Sequence, residues 1–186
     1  MLTYAIDIET FSVRPNAVVA SIGLACSDGC TWYWRLEHDV RADGTRGGGP
    51  GQERRGVTPT ALDFWSSDKV TPEAQREVFD RSLDRVPAKQ ALSEIRTILD
   101  ARPYDNIWAR GSMDQNVLDD LARELGMEPI APYWVWRDER TLGDVAAILD
   151  IPTQKPGAHR ADLDAQVCLR NVQRVLGDVW EVVLND

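Results

Sequence analysis

Cysteine is scarce in this 186-residue chain: Cys26, Cys30 and Cys168 are odd in number and lack the paired spacing of a zinc site. A disulfide framework is thereby excluded, and the three thiols are expected to be reduced and structural. No run approaches the roughly 18 uncharged apolar residues that cross a bilayer, and the opening MLTYAIDIET carries an acid where a secretion signal needs an apolar stretch. No membrane association and a cytoplasmic location, bacterial or in a phage-infected host, are expected. Positive charge is short as well: 21 basic against 30 acidic residues leave a net −9. That balance argues against a protein that coats nucleic acid indiscriminately, which needs a basic surface to release counterions. It leaves open an enzyme that grips one chain end, because clustered carboxylates count toward the negative total until cations bind them.

What is present fits one folded domain over residues 1–186: 43% hydrophobic residues, 27% charged residues and seven tryptophans. TYAIDIE, AVVASIGLAC and TWYWRLE read as three strands of an antiparallel meander. Residues 41–56 are rich in Gly and Arg without apolar periodicity, which predicts a long loop. That loop is either a mobile arm whose Arg41, Arg46, Arg54 and Arg55 meet phosphates or a solvated insertion. Thr58-Pro59 and Thr71-Pro72 each place a capping hydroxyl before a helix-starting Pro, and Leu92, Ile95 and Leu99 mark a helix over 88–101. NIWAR predicts a buried strand, followed by a helix over 113–125 that stops at Gly126. YWVWRD is expected to be a strand, LGDVAAILD a helix, and everything from Ala161 a long final helix. Strands first and then strands alternating with helices imply a mixed sheet with helices on its faces.

The chemistry-bearing residues are acids in unexpected places. Asp7 and Glu9 lie two apart in a strand, so period-two alternation turns both to one face. Two anions side by side repel unless a divalent cation joins them, and hard oxygen ligands suit Mg2+ or Mn2+; a solvated strand end is the plainer alternative. Asp114 begins a helix on the same stripe as Val117, Leu118, Leu121 and Leu125, where N-capping is the alternative. Asp164 sits inside the apolar stripe Ala161, Ala165, Cys168, Val172, Val175, Leu176 and Val179. Burying its charge alone would cost several kcal/mol, so it needs a metal or an arginine partner. Its neighbour Asp162 points off the stripe and is expected to be solvated. His159 precedes this helix in QKPGAHR, where an imidazole titrating near neutrality suits a general base. His38 is expected at the surface.

In their order, Asp7-x-Glu9-Thr10, Trp108-Ala-Arg-Gly-Ser-Met-Asp114 and His159-x4-Asp164 resemble the three motifs of the DEDDh 3′→5′ exonuclease superfamily, over nearly the whole chain. DIETFSVRPNAVVASIG and Arg137-Asp-Glu-Arg140-Thr141 narrow the resemblance to the small phage and mycobacterial-type exonucleases, which include exoribonucleases and exodeoxyribonucleases. The resemblance implies a ribonuclease H-like α/β fold: a mixed five-stranded sheet flanked by helices. It also implies hydrolysis of single-stranded nucleic acid from the 3′ end, with RNA favoured over DNA. Two divalent cations, Mg2+ or Mn2+, would be held by Asp7, Glu9, Asp114 and Asp164, with His159 activating water and nucleoside 5′-monophosphates as products.

End recognition is expected at Thr10 and Phe11, with Trp65 closing over the same end. Arg110, Arg137 and Arg140 would hold phosphates or pair with the acids, and a homodimer would let a second subunit help build the groove. Two rival readings are another metal-dependent phosphoesterase and a non-catalytic nucleic-acid or nucleotide-binding domain of the same fold. The presence of all four acids and His159 favours the nuclease.

Overall fold

The computed structural model describes residues 1–46 and 52–185, with side chains through residue 177. The centre of the Gly-rich loop, 47–51, and the side chain of Val179 therefore lie outside the described residues. Strands β1 (Leu2–Thr10), β2 (Val19–Cys26) and β3 (Thr31–Arg35) form the antiparallel meander. Strand β4 (Tyr104–Ala109) pairs parallel with β1, and β5 (Trp136–Asp138) parallel with β4. The result is one five-stranded mixed sheet in the order β3-β2-β1-β4-β5. Six helices flank it among the described residues: α1 (Pro59–Trp65), α2 (Pro72–Phe79), α3 (Ala88–Asp100), α4 (Met113–Glu124), α5 (Glu139–Ile148) and α6 (Ala161–Asn185).

Alternation along the strands sorts residues between two layers. Tyr4, Ile6 and Ile8 of β1 pack with Ile22 and Leu24 of β2 against Leu92, Ile95 and Leu99 of α3 and Val117, Leu118 and Leu121 of α4. On the other face Ala5, Ala25 and Trp108 meet Ala165, Cys168, Leu169 and Val172 of α6. Phe11, Val18, Trp65, Ala74 and Val78 form a smaller cluster with α1 and α2. Close approach of α6 depends on Gly23, which stands opposite Asp7 in the β1–β2 ladder. A Cβ there would fall 2.2 Å from the Ala161 carbonyl carbon and 2.3 Å from the Asp162 nitrogen. Only glycine lets the start of α6 rest on the sheet.

Several expectations need correction. In YWVWRD only Trp136–Asp138 is strand, and Tyr133–Val135 make a 3-10 turn after Pro132. The next helix starts earlier than LGDVAAILD, at Glu139, because the Asp138 side chain caps it by accepting from the Arg140 amide at 2.9 Å. Thr71 caps α2 through the Ala74 amide, but Thr58 makes no side-chain cap bond to α1. Where it is described, the 41–56 segment is tied to the fold through Arg46, Gln52 and Arg55, while Arg41, Ala42, Asp43 and Arg54 are exposed. Arg55 has no exposed side-chain surface and donates to the carbonyls of Ala17 and Pro15 and to Asp120 and Glu124. The buried Gln52 side chain pairs with the first residue of β2 through the Val19 amide and carbonyl. Arg46 donates to the carbonyls of Gln52 and Arg55, which leaves Arg41 and Arg54 as the exposed arginines of the four.

Candidate active site

The parallel strands β1 and β4 end at the same side of the sheet, and a cleft of about 380 Å³ opens there. Asp7, Glu9, Asp114, His159 and Asp164 all line it, together with Arg110, Arg140 and Lys155. Asp7 and Glu9 follow Ala5 on the α6 face of β1. Asp114 occupies the first turn of α4, where Ser112 is the N-cap residue, so capping does not account for it. Asp164 occupies the first turn of α6. Glu9, Asp114 and Asp164 are 9%, 3% and 5% exposed, far below what solvated carboxylates show, while Asp7 is partly buried.

Asp164 also shapes the loop before it. One carboxylate oxygen accepts from the amides of Gly157 (2.9 Å) and Ala158 (3.0 Å), and the other from His159 (2.9 Å). These bonds hold His159 at a left-handed φ of 52°, a conformation that side chains other than glycine seldom adopt unless the surroundings impose it. The far end of the loop is tied by Asn171, which accepts from the Gln154 amide and donates to the Gln154 carbonyl and to buried Glu139. The imidazole packs edge-on against Phe64, 5.0 Å between ring centres, and Trp65, 6.2 Å. Glu9, His159 and Asp164 each present a ligand atom within 4.8 Å of the others.

The electrostatics are those of crowded anions. Burial, then the charges of Glu9, Asp114 and Asp164, push the Asp7 carboxyl well above its ordinary range, with Arg110 opposing. Glu9 is raised by burial and then by Asp164 and Asp114. Burial raises Asp114 to about 7 against the opposing effects of backbone hydrogen bonds and Arg140. Such a set favours either bound protons or a divalent cation. Buried oxygen donors converging with too little nearby positive charge fit Mg2+ or Mn2+ in chemistry.

A second cleft of about 380 Å³ adjoins the first, sharing Ile8, Glu9 and Met113 and extending past Thr10, Thr60 and Phe64. Thr10 lies in it, its hydroxyl donating to the Ser12 carbonyl at 2.7 Å. Phe11, expected to offer a ring to a base, is fully buried against His38 and Phe79. Trp65 forms part of the wall but is 1% exposed, its indole N–H donating to the Thr10 carbonyl at 2.9 Å. The accessible ring is Phe64, which the sequence reading passed over although it adjoins Trp65.

Arg110 is partly buried and Arg140 exposed, its guanidinium lying over the Gly111 turn that Asp138 fixes by accepting from the Gly111 amide. Arg137 is exposed and donates to the carbonyls of Trp134 and Trp136. Asp162 is not solvated: it is 7% exposed and receives two bonds from Arg160. His38 is half-buried rather than a free surface residue: its Nε2 contacts the Val78 carbonyl at 3.1 Å, and burial lowers its pKa to about 3. A larger cleft, about 610 Å³, lies between Asp43, Arg46 and α1, and none of the four acids lines it.

Residues 3–176 match the family model of the 3′-5′ exoribonuclease Rv2179c-like domain. No curated protein matches the chain by sequence. Among solved structures, a product-bound exonuclease I aligns with a TM-score of 0.61 at 12% identity, over 99% of this chain and 46% of that one. Escherichia coli exonuclease I in a metal-free complex with single-stranded DNA gives 0.60 at 13%, over 94% and 39%. The zinc-bound form of that complex gives 0.59 at 13%, over 92% and 40%. The chain thus spans less than half the length of the exonuclease I chains it matches. At these identities the likeness shows the fold, a ribonuclease H-like mixed sheet.

Proposed function

This chain belongs to the Rv2179c-like 3′-5′ exoribonuclease domain family, and from that premise we propose that it removes nucleotides one at a time from the 3′ end of single-stranded nucleic acid, RNA in preference to DNA. The observation that carries the reading is the convergence of Asp7, Glu9, Asp114, Asp164 and His159 on one cleft. Asp7, Glu9, Asp114 and Asp164 would hold two divalent cations, Mg2+ or Mn2+, in this cleft. When bound, the cations supply a more acidic attacking water and neutralise charge on the departing 3′ oxygen.

His159 takes the proton from that water, held against Phe64 and oriented through its main chain by Asp164. Water oxygen bonds to phosphorus as the bond from phosphorus to the 3′ oxygen breaks. The 3′ oxygen is protonated by solvent, and a nucleoside 5′-monophosphate leaves. Arg110 and Arg140 orient the phosphate at the cleft rim.

The terminal nucleoside occupies the adjoining cleft, its base against Phe64. Because the Thr10 hydroxyl donates its proton to Ser12, its lone pairs are left to accept from the sugar, and accepting from the 2′-OH favours RNA. One chain supplies every carboxylate and His159, so a homodimer would serve only to extend the groove.

The test uses 5′-labelled RNA and DNA oligomers of matched sequence with Mg2+, Mn2+ or chelator. A metal-dependent ladder shortening from the 3′ end, faster on RNA and absent in Asp7→Asn, is expected. Internal cleavage would point to a different phosphoesterase, and intact oligomers under every metal would reject hydrolysis. Asp7→Asn is a cleaner control than Asp164→Asn, since Asp164 also holds the His159 loop.

A further inference from the structure

Two aromatic side chains stand in solvent at the amino end of β5, while the cleft opens at the carboxyl ends of the parallel strands, and they have no role in the chemistry above. Tyr133 is 77% and Trp134 63% exposed, with ring centres 5.3 Å apart and planes at 86°. By contrast, Trp65, Trp108 and Trp136 are buried. The pair leads into β5, and the register connects it to the acids. Ala5 aligns with Trp108 and Trp108 with Arg137 across three adjacent strands, so Arg137 shares the face of Ala5, Asp7 and Glu9. With about 4.8 Å between strands and 3.3 Å per residue, its Cα lies roughly 12 Å from that of Asp7. The Arg137 guanidinium is anchored through one nitrogen to the carbonyls of Trp134 and Trp136, at 2.7 and 2.8 Å, and is otherwise exposed. Arg140 follows, lying over Gly111 at the cleft rim. Arg140 just past the carboxyl end of β5, Arg137 within it and the aromatic pair at its amino end thus lie progressively farther from the acids.

We propose that Tyr133 and Trp134 form an upstream subsite on which bases of the single strand stack, while Arg137 and Arg140 carry the phosphates between this subsite and the scissile 3′ end. The proposal rests on the exonuclease reading and adds to it a requirement for length and for unpaired bases. Two features select a nucleic-acid occupant. Exposed rings offer sequence-tolerant stacking, and Arg137 and Arg140, placed along β5 between the rings and the carboxyl end of the sheet, complement a polyanion. A duplex would keep its bases stacked on each other and gain nothing from the pair.

The experiment measures KM for a dinucleotide and for a single-stranded octamer with the wild-type chain, Trp134→Ala and Trp134→Phe. Trp134→Ala should raise the octamer KM about tenfold, the loss of one stacked base, while moving the dinucleotide KM less than twofold. Trp134→Phe should restore most of the difference. An octamer scanned with single abasic positions should reveal one upstream site that weakens the wild type and leaves Trp134→Ala unchanged.

An unchanged octamer KM, or equal changes for both substrates, overturns the proposal. An unchanged octamer KM together with dissociation of a dimer on light scattering would assign the pair to a second copy. If the wild type cleaves neither substrate, the exonuclease reading fails by itself. Anisotropy of the labelled octamer in chelator then decides the subsite: weaker binding by Trp134→Ala supports it, and equal binding rejects it.

Discussion

The two faces of β1 divide the work of this molecule between them. On one, Tyr4, Ile6 and Ile8 are 0–4% exposed in an all-apolar layer with α3 and α4. On the other, Ala5 meets α6 and is followed by Asp7 and Glu9, which share a buried cleft with two further carboxylates. The first face lowers the free energy of the folded chain. The second raises it, because three acids there hold protons more tightly than they would in water. Residues one apart in sequence should therefore respond to substitution in opposite ways.

The sharpest break in that comparison sets Asp7→Asn beside Ile6→Ala. Asp7→Asn should reduce metal-supported turnover by at least about 10³-fold, the scale of losing a charge-stabilising group, with a melting temperature unchanged or higher in chelator. Ile6→Ala should lower stability by about 2–5 kcal/mol, while the fraction still folded retains normal activity. Denaturant melts and single-turnover assays on both variants check this, and an Asp7→Asn protein that melts early would dissolve the distinction.

The next effect concerns an anchor at the margin of the apolar face. Arg55→Ala removes a buried guanidinium bonded to three carbonyls and two carboxylates, and should cost roughly 2–4 kcal/mol at about 1 kcal/mol for each well-formed bond. Chemical denaturation reads the loss; an effect under 0.5 kcal/mol would mean that the segment around Gln52 and Arg55 is not structural.

The smallest expected effect is a pH dependence belonging to the acidic face alone. The folded pKa values of Asp7, Glu9 and Asp114 are raised, so the folded chain binds protons that the unfolded chain releases. In chelator, stability should be highest below the unfolded value near 4 and fall as pH rises toward the folded value, about 7 for Asp114. Asp114→Asn should flatten that slope, and Mg2+ or Mn2+ should reverse the loss above pH 7. Melts at stepped pH with and without metal provide the reading, and stability rising with pH in chelator would contradict it.

The fold and the acids were legible because their signals are local and periodic. Period-two spacing puts Asp7 and Glu9 on one face, and helical spacing puts Asp114 and Asp164 on apolar stripes. His159 was marked by its place in a Gly- and Pro-containing loop. What escaped depends on docking. Arg55 is buried by Asp120 and Glu124, 65 and 69 residues away, which no window of sequence contains. Choosing Phe64 over Trp65 as the exposed ring requires knowing which side of α1 meets Phe11. Asp162 looked solvated until Arg160, two residues back, folded over it.

Gly23 acts as a spacer in the negative: the separation between the Asp7 and Asp164 carboxylates is set by a methyl group that is not there. A Cβ at 2.2 Å from the Ala161 backbone would have to be relieved by about 1 Å before ordinary contact returned, and the start of α6 would take up most of that movement. A displacement of that size in a reacting constellation is worth on the order of 10²-fold in rate. The tolerance of the candidate active site is thus machined into a position that carries no functional group. Gly23→Ala should separate catalytic loss from chemistry altogether, leaving every acid and His159 in place but out of gauge.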